Sequence, residues 1–179
     1  WGIIGLITIE ATVVVSFIVS YLYLASYAEN WPPAGLDPPP LLWPSVNVVL
    51  LLFSCVTMYW AGKGIRQGKQ TQLAIGVSIS ILLACAVLVL RTLEFMAFEF
   101  NWKSHAYGSL VWTLSGFHYV HVVSIVVGSL AVAVLAWRGY FTQERQIGVV
   151  VDTMYWYFVS LAWIPLYFAL YWVPRLYAG

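Results

Sequence analysis

The sequence predicts an all-α fold, a polytopic membrane protein built as a bundle of five transmembrane helices in a single domain over 1–179. Three observations predict it. The chain is 62% hydrophobic and only 8% charged, far from the balance of a soluble domain. Five apolar stretches reach the roughly 20 residues that a spanning helix needs. None of the five alternates polar with apolar residues as a barrel strand would, and all are too long for one. A net charge of +1 leaves no basic footprint, so no nucleic-acid partner is expected.

The first span is predicted over 2–24. It is too long and too quickly apolar for a signal peptide. Glu10 lies about 12 Å along its axis, with Leu6, Val13, Val14 and Phe17 as helical neighbours. A carboxylate at such depth costs roughly 2.5–3.5 kcal/mol. Either the acid hydrogen-bonds a neighbouring helix, or it is a proton-linked or partner-facing group. The loop that follows holds Trp31-Pro32-Pro33 and Asp37-Pro38-Pro39-Pro40, and its prolines predict a stiff, extended segment.

The second span is predicted over 43–62 and the third over 72–98. Arg91 and Glu94 stand three apart on the third, the spacing at which two side chains share a helix face. They read as a neutralising pair near the outer interface, or as a contact for a headgroup or a partner's groove. Cys55 and Cys85 fall inside apolar stretches without metal-ligand spacing and read as small packing residues.

The fourth span, over 107–137, carries His118 and His121 on one face. A haem held through two helices would need a second histidine on a facing helix, and His105 lies in a loop. Thiolates or carboxylates that would complete a metal site with the pair are missing from this helix. Interhelical hydrogen bonding is the expected role, so no metal site and no bound cofactor are predicted for this chain. Ser124 and Gly128 form a small-xxx-small pair that would permit close helix approach. The fifth span is predicted over 148–173.

Loop cations set the orientation. Lys63, Arg66, Lys69, Arg138 and Arg145 fall on one side, and Lys103 and Arg175 on the other. The positive-inside rule puts the N-terminus inside and the C-terminus outside. Trp31, Trp43, Trp60, Trp102, Trp137 and Trp172 lie near span ends, as an aromatic belt requires.

The order of these motifs resembles subunit III of the haem-copper terminal oxidases, the cytochrome c oxidase subunit 3 family. The first span with Glu10 is similar to that family's helix with an embedded glutamate. Trp31-Pro32-Pro33-Ala34-Gly35-Leu36 resembles its Trp-Pro-Pro-x-Gly loop, and Pro44 with Asn47 its next helix start. Arg91-Thr92-Leu93-Glu94-Phe95 resembles a segment with Gln, Glu and an aromatic. Tyr107-Gly108-Ser109 and Gly116-Phe117-His118-x-x-His121-Val122 resemble its signature helix. Tyr155-Trp156-Tyr157-Phe158-Val159, with Trp163, resembles the last helix. The chain departs from the pattern at Tyr157 and Ser160, where the family usually has His and Asp, and at Val150, where it has Glu.

The resemblance implies a five-helix, bacterial-type member, matching the last five helices of seven-helix relatives. It implies an accessory subunit without haem, copper or catalytic residues of its own. Haem and copper are then expected in partner subunits, beside a catalytic subunit I, other oxidase subunits and bound phospholipid. The complex would reduce oxygen and translocate protons in a bacterial plasma membrane or mitochondrial inner membrane, with a respiratory supercomplex open to it. A quinol oxidase and a nitric-oxide-reductase relative stay open as settings. A small proton-linked transporter would predict internal repeats, and none is visible. A membrane cytochrome would use His118 or His121 as its ligand.

Overall fold

Five helices, each long enough to cross a hydrocarbon core of about 30 Å, follow one another along the chain. The computed structural model describes residues 1–177. The helices are α1 (Gly2–Tyr27), α2 (Leu42–Arg66), α3 (Gln70–Ala97), α4 (Ala106–Trp137) and α5 (Ile147–Tyr167). α5 runs on through a wide π turn at Phe168–Trp172 into α6 (Val173–Tyr177). No strand occurs among the described residues. The sequence-predicted spans sit inside these helices to within a few residues, and the fifth is extended by the π turn. Pro165 lies inside α5 just before that turn. It lacks the N–H that would bond Leu161, so the backbone there is free to widen.

The helix ends follow from local chemistry. Gly68 and Gly139 adopt φ of +74° and +69° just past α2 and α4. Lys69 N–H reaches Gly64 O at 2.9 Å, and Tyr140 N–H reaches Leu135 O at 3.0 Å. These bonds close both helices with the same glycine-centred motif. Gln70 Nε2 then donates to Phe141 O at 3.0 Å, which ties the two loops on that side together. At the other side His105 caps α4, its Nδ1 accepting from Gly108 N–H at 2.8 Å. Arg175 Nη2 donates to Pro39 O at 2.6 Å and pins the proline-rich loop.

α2, α3, α4 and α5 pack as a closed ring, each against its two neighbours. Trp156 and Trp163 fill its centre and are fully buried. An indole N–H inside a bilayer needs an acceptor. Trp156 Nε1 donates to Ser54 Oγ at 2.9 Å, and Trp163 Nε1 approaches Pro44 O at 3.4 Å. α2 and α3 meet most closely, where Thr57 and Ser80 hydroxyls share a 2.6 Å hydrogen bond.

α1 stands outside this ring, laid along α4, α5 and the π turn. Most of its surface is exposed, yet it carries Thr8, Thr12, Ser16 and Ser20 on the exposed side. Each hydroxyl donates to the carbonyl four residues back, at 2.8–2.9 Å. A hydroxyl satisfied within its own helix can face lipid at little cost. Tyr21 and Ala25 anchor the C-terminal end of α1, where Trp31 folds back between Tyr21 and Tyr107 with ring centroids 5.2 and 5.1 Å away.

That packing corrects one expectation. Trp31 is only 4% exposed and is no belt residue, because the loop turns it into the bundle. Trp43, Trp60, Trp102, Trp137 and Trp172 are exposed. Cys55 and Cys85 are half-buried at the margin of the core. The Ser124–Gly128 pair does not mark a close approach: a Cβ added at Gly128 would meet only Asp152 Oδ1, at 3.9 Å. The close approach occurs at Gly76 instead, 2.7 Å from Ala61 Cβ by the same construction.

Candidate functional site

Glu10 points from α1 into the junction of α4 and α5. Its Oε2 lies 3.5 Å from His121 Nε2, and its Oε1 accepts from Tyr155 Oη at 3.3 Å. The two side chains of the Glu10–His121 contact are only 19% and 13% exposed, respectively. His121 Nδ1 lies 2.7 Å from Phe117 O. A carbonyl only accepts, so Nδ1 carries the hydrogen and Nε2 faces the acid. A carboxylate and a bare imidazole lone pair would repel each other. One proton held between Oε2 and Nε2 removes that repulsion, as acid plus neutral ring or as carboxylate plus imidazolium. Tyr155 Oη is also 3.4 Å from Ser124 Oγ, so the group spans three helices. Phe117 packs against His121 with ring centroids 4.3 Å apart and is met edge-on by Phe17 at 5.3 Å, which shields the group on one side.

His118 is three residues away and does something else. It is buried, its Nε2 bonds Val159 O on α5 at 3.1 Å, and its ring lies 4.8 Å from that of Trp163. Residues three apart are separated by about 60° around a helix. That angle is enough for α4, wedged between two neighbours, to give His118 to α5 and His121 to α1. The two histidines therefore do not act as a pair toward one neighbour.

Arg91 and Glu94 form a 2.7 Å ion pair inside the helical ring, with side chains only 2% and 4% exposed. Arg91 Nη1 also bonds Tyr171 Oη at 2.9 Å, and Tyr171 Oη donates to Glu94 Oε1. The guanidinium lies 3.7 Å above the Trp163 ring. The pair faces neither headgroups nor a surface groove, because the π turn brings Tyr171 over it. One long stack, Tyr171–Arg91–Trp163–His118, runs through the centre of the bundle.

A further carboxylate emerges from the fold. The single hydroxyl hydrogen of Ser129 on α4 faces both carboxylate oxygens of Asp152 on α5, at 2.7 and 2.9 Å. The sequence placed Asp152 in the fifth span but gave it no role. Its i, i+3 spacing from Tyr155 was the signal available. Tyr155 and Tyr171 were equally missed, since a tyrosine in an aromatic-rich span carries no mark of its own. Among the described residues, no three His, Cys, Asp or Glu side chains come together as a metal-holding group.

Comparison with known proteins gives a consistent answer. The family described as cytochrome c oxidase subunit III matches residues 1–175. The chain is 32% identical over 182 residues to the cytochrome c oxidase subunit 3 of Cyprinus carpio, covering 96% of this chain and 68% of that one. It is 33% identical over 181 residues to the subunit 3 of Gallus gallus, with the same two coverages. Against the subunit 3 of Lumbricus terrestris it is 30% identical over 181 residues.

Proposed function

The chain belongs to the cytochrome c oxidase subunit III family, and from that premise we propose that it is the accessory, cofactor-free subunit of a proton-translocating respiratory oxidase. It packs against the catalytic subunit I, which with other subunits holds the haem and copper, and it retains phospholipid at its surface. The oxidase reduces oxygen to water, with cytochrome c as the donor, and N-terminus and the cation-rich loops face the inner side of a bacterial plasma membrane or mitochondrial inner membrane. The observation that carries this is the extent of the match, over residues 1–175, which takes in all five spans.

Within that role the residues divide by position. The Tyr171–Arg91–Trp163–His118 stack gives rigidity, since Arg91 Nη1, Tyr171 Oη, Trp163 Nε1 and His118 Nε2 each find a partner inside the bundle. Glu10, His121 and Tyr155 sit where α1 meets the ring, half-covered and able to hold a proton between acid and imidazole. We assign them an indirect influence on proton uptake by the catalytic subunit during sustained turnover. The chemistry of oxygen reduction needs centres held elsewhere in the complex.

A pull-down in mild detergent tests the assignment, read by visible spectrum and mass identification. A large partner with a-type haem and copper is the expected result, and a chain that runs alone and colourless removes the proposal. A partner with b- or o-type haem and no cytochrome c-binding subunit moves it to a quinol oxidase. For the residue role, Glu10→Ala is expected to leave the initial rate of oxygen consumption largely intact and to hasten its decay during turnover. Equal decay in variant and wild type takes Glu10 out of the mechanism.

A further inference from the structure

α2 ends with Lys63 and Arg66 in its last turn, both exposed, and no acid stands between Asp37 and Glu94 in the sequence. Among the described residues neither cation takes part in an ion pair. Both line a groove of about 490 Å³ between the end of α2 and the start of α5. It runs along the flank of α5 that carries Gln146, Val150, Thr153 and Tyr157. This flank is turned about 180° from the one that carries Asp152 and Tyr155, so the groove lies apart from the Glu10 junction.

The lining has two ends of different chemistry. No Asp or Glu borders it, and the first turn of α5 holds no acid and has no side-chain cap. Positive charge and free backbone N–H groups therefore meet at the interfacial end. Gln146 Nε2 is spent on Gln143 O at 2.8 Å, while its Oε1 is buried without a hydrogen-bond partner. That oxygen can only accept, so it asks for a hydroxyl or ammonium donor. The far end is apolar, with Val149, Val150 and Met154 beneath Tyr157. From Gln146 to Tyr157 the helix rises about 16 Å, close to the hydrocarbon depth of one leaflet.

We propose that this groove holds one anionic phospholipid, its phosphate between Lys63 and Arg66, a headgroup hydroxyl on Gln146 Oε1, and an acyl chain along Val149, Val150 and Met154. Basic pockets between spans on the positive side of a membrane select anionic headgroups in this way. The inference deepens the phospholipid part of the proposed function and does not depend on which electron donor the oxidase uses.

The test uses the purified complex, exchanged into mixed micelles of phosphatidylcholine and phosphatidylglycerol, with the lipid retained on this subunit counted by native mass spectrometry. Phosphatidylglycerol is expected to be enriched, and Lys63→Gln/Arg66→Gln to lower the enrichment about tenfold. Gly62→Phe puts a ring into the groove and leaves both cations in the sequence, and it is also expected to lose the lipid. A Cβ at Gly62 meets nothing within 4 Å, so the backbone there has room for a side chain, and the haem spectrum of the purified complex checks that the variant assembles. Lys69→Gln, outside the groove, is expected to retain the wild-type count. Equal retention of the two lipids by the wild type, unchanged retention by the double variant, or the same loss from Lys69→Gln each overturns the proposal. A complex without haem would instead count against the oxidase reading, while the lipid count on the chain still decides this one.

Discussion

A polar residue inside a membrane is informative only through its partner, and the partners are what the sequence could not name. Glu10 stood out by itself, because a carboxylate among Leu6, Val13 and Phe17 has no apolar explanation. That it meets His121 and Tyr155 depends on α1 lying along the α4–α5 junction, which no periodicity encodes. Arg91 and Glu94 were legible as a pair from spacing alone, but their depth in the ring was not, since Tyr171 reaches them through a π turn. Removing one member of such a buried pair leaves an uncompensated charge, worth about 3–5 kcal/mol of stability. Glu94→Ala should therefore lower the thermal midpoint of the detergent-solubilised protein sharply. Arg91→Met/Glu94→Leu should recover most of the loss, because it removes both charges and keeps the volume. A double variant as unstable as Glu94→Ala would show that the stack on Trp163, and not charge balance, holds the site.

At the level of the helix, existence and length were legible and packing faces were not. Runs of apolar residues and a glycine after the last turn set the bounds of α2 and α4. The contact between α2 and α3 rests on Gly76, which the sequence gave no reason to prefer over Gly128. A Cβ at Gly76 would stand 2.7 Å from Ala61 Cβ and 3.1 Å from both Ala61 Cα and Thr57 O. Two of those are backbone atoms and the third is fixed to the backbone, so α2 itself would have to move, stretching the Thr57–Ser80 bond. Gly76→Ala is expected to cost about 1–3 kcal/mol despite the better helix propensity of alanine. Gly62→Ala on the facing helix meets nothing within 4 Å and should be neutral or gain up to about 1 kcal/mol. Thermal unfolding of the two variants side by side checks the sign of each, and a stabilised Gly76→Ala would mean that the helices can part freely.

At the scale of the whole molecule, the distribution of charge decides which way the bundle faces. The ring of α2, α3, α4 and α5 with α1 outside it has five helices long and apolar enough to cross a membrane, and crossing by all five would put the start of α1 and the end of α5 on opposite sides. The last turn of α2 and the loops after α2 and α4 carry Lys63, Arg66, Lys69, Arg138 and Arg145, and the Gln70–Phe141 bond joins them into one cationic face. Moving such a face across a bilayer would cost several times the price of a single charge, which is why its side is fixed at insertion. The exposed positions Gln67 and Glu144 on this face, and Ser104 on the other, report the orientation when changed one at a time to cysteine in a Cys55→Ala/Cys85→Ala background. A membrane-impermeant maleimide should label Gln67→Cys and Glu144→Cys only in inverted vesicles, and Ser104→Cys only in right-side-out ones. The reverse pattern would invert the protein and move the groove at Lys63 and Arg66 to the outer leaflet. Labelling of Gln67→Cys and Ser104→Cys from the same side would mean that α3 does not span at all, which its length of 28 apolar-rich residues makes the least compatible outcome with a bilayer.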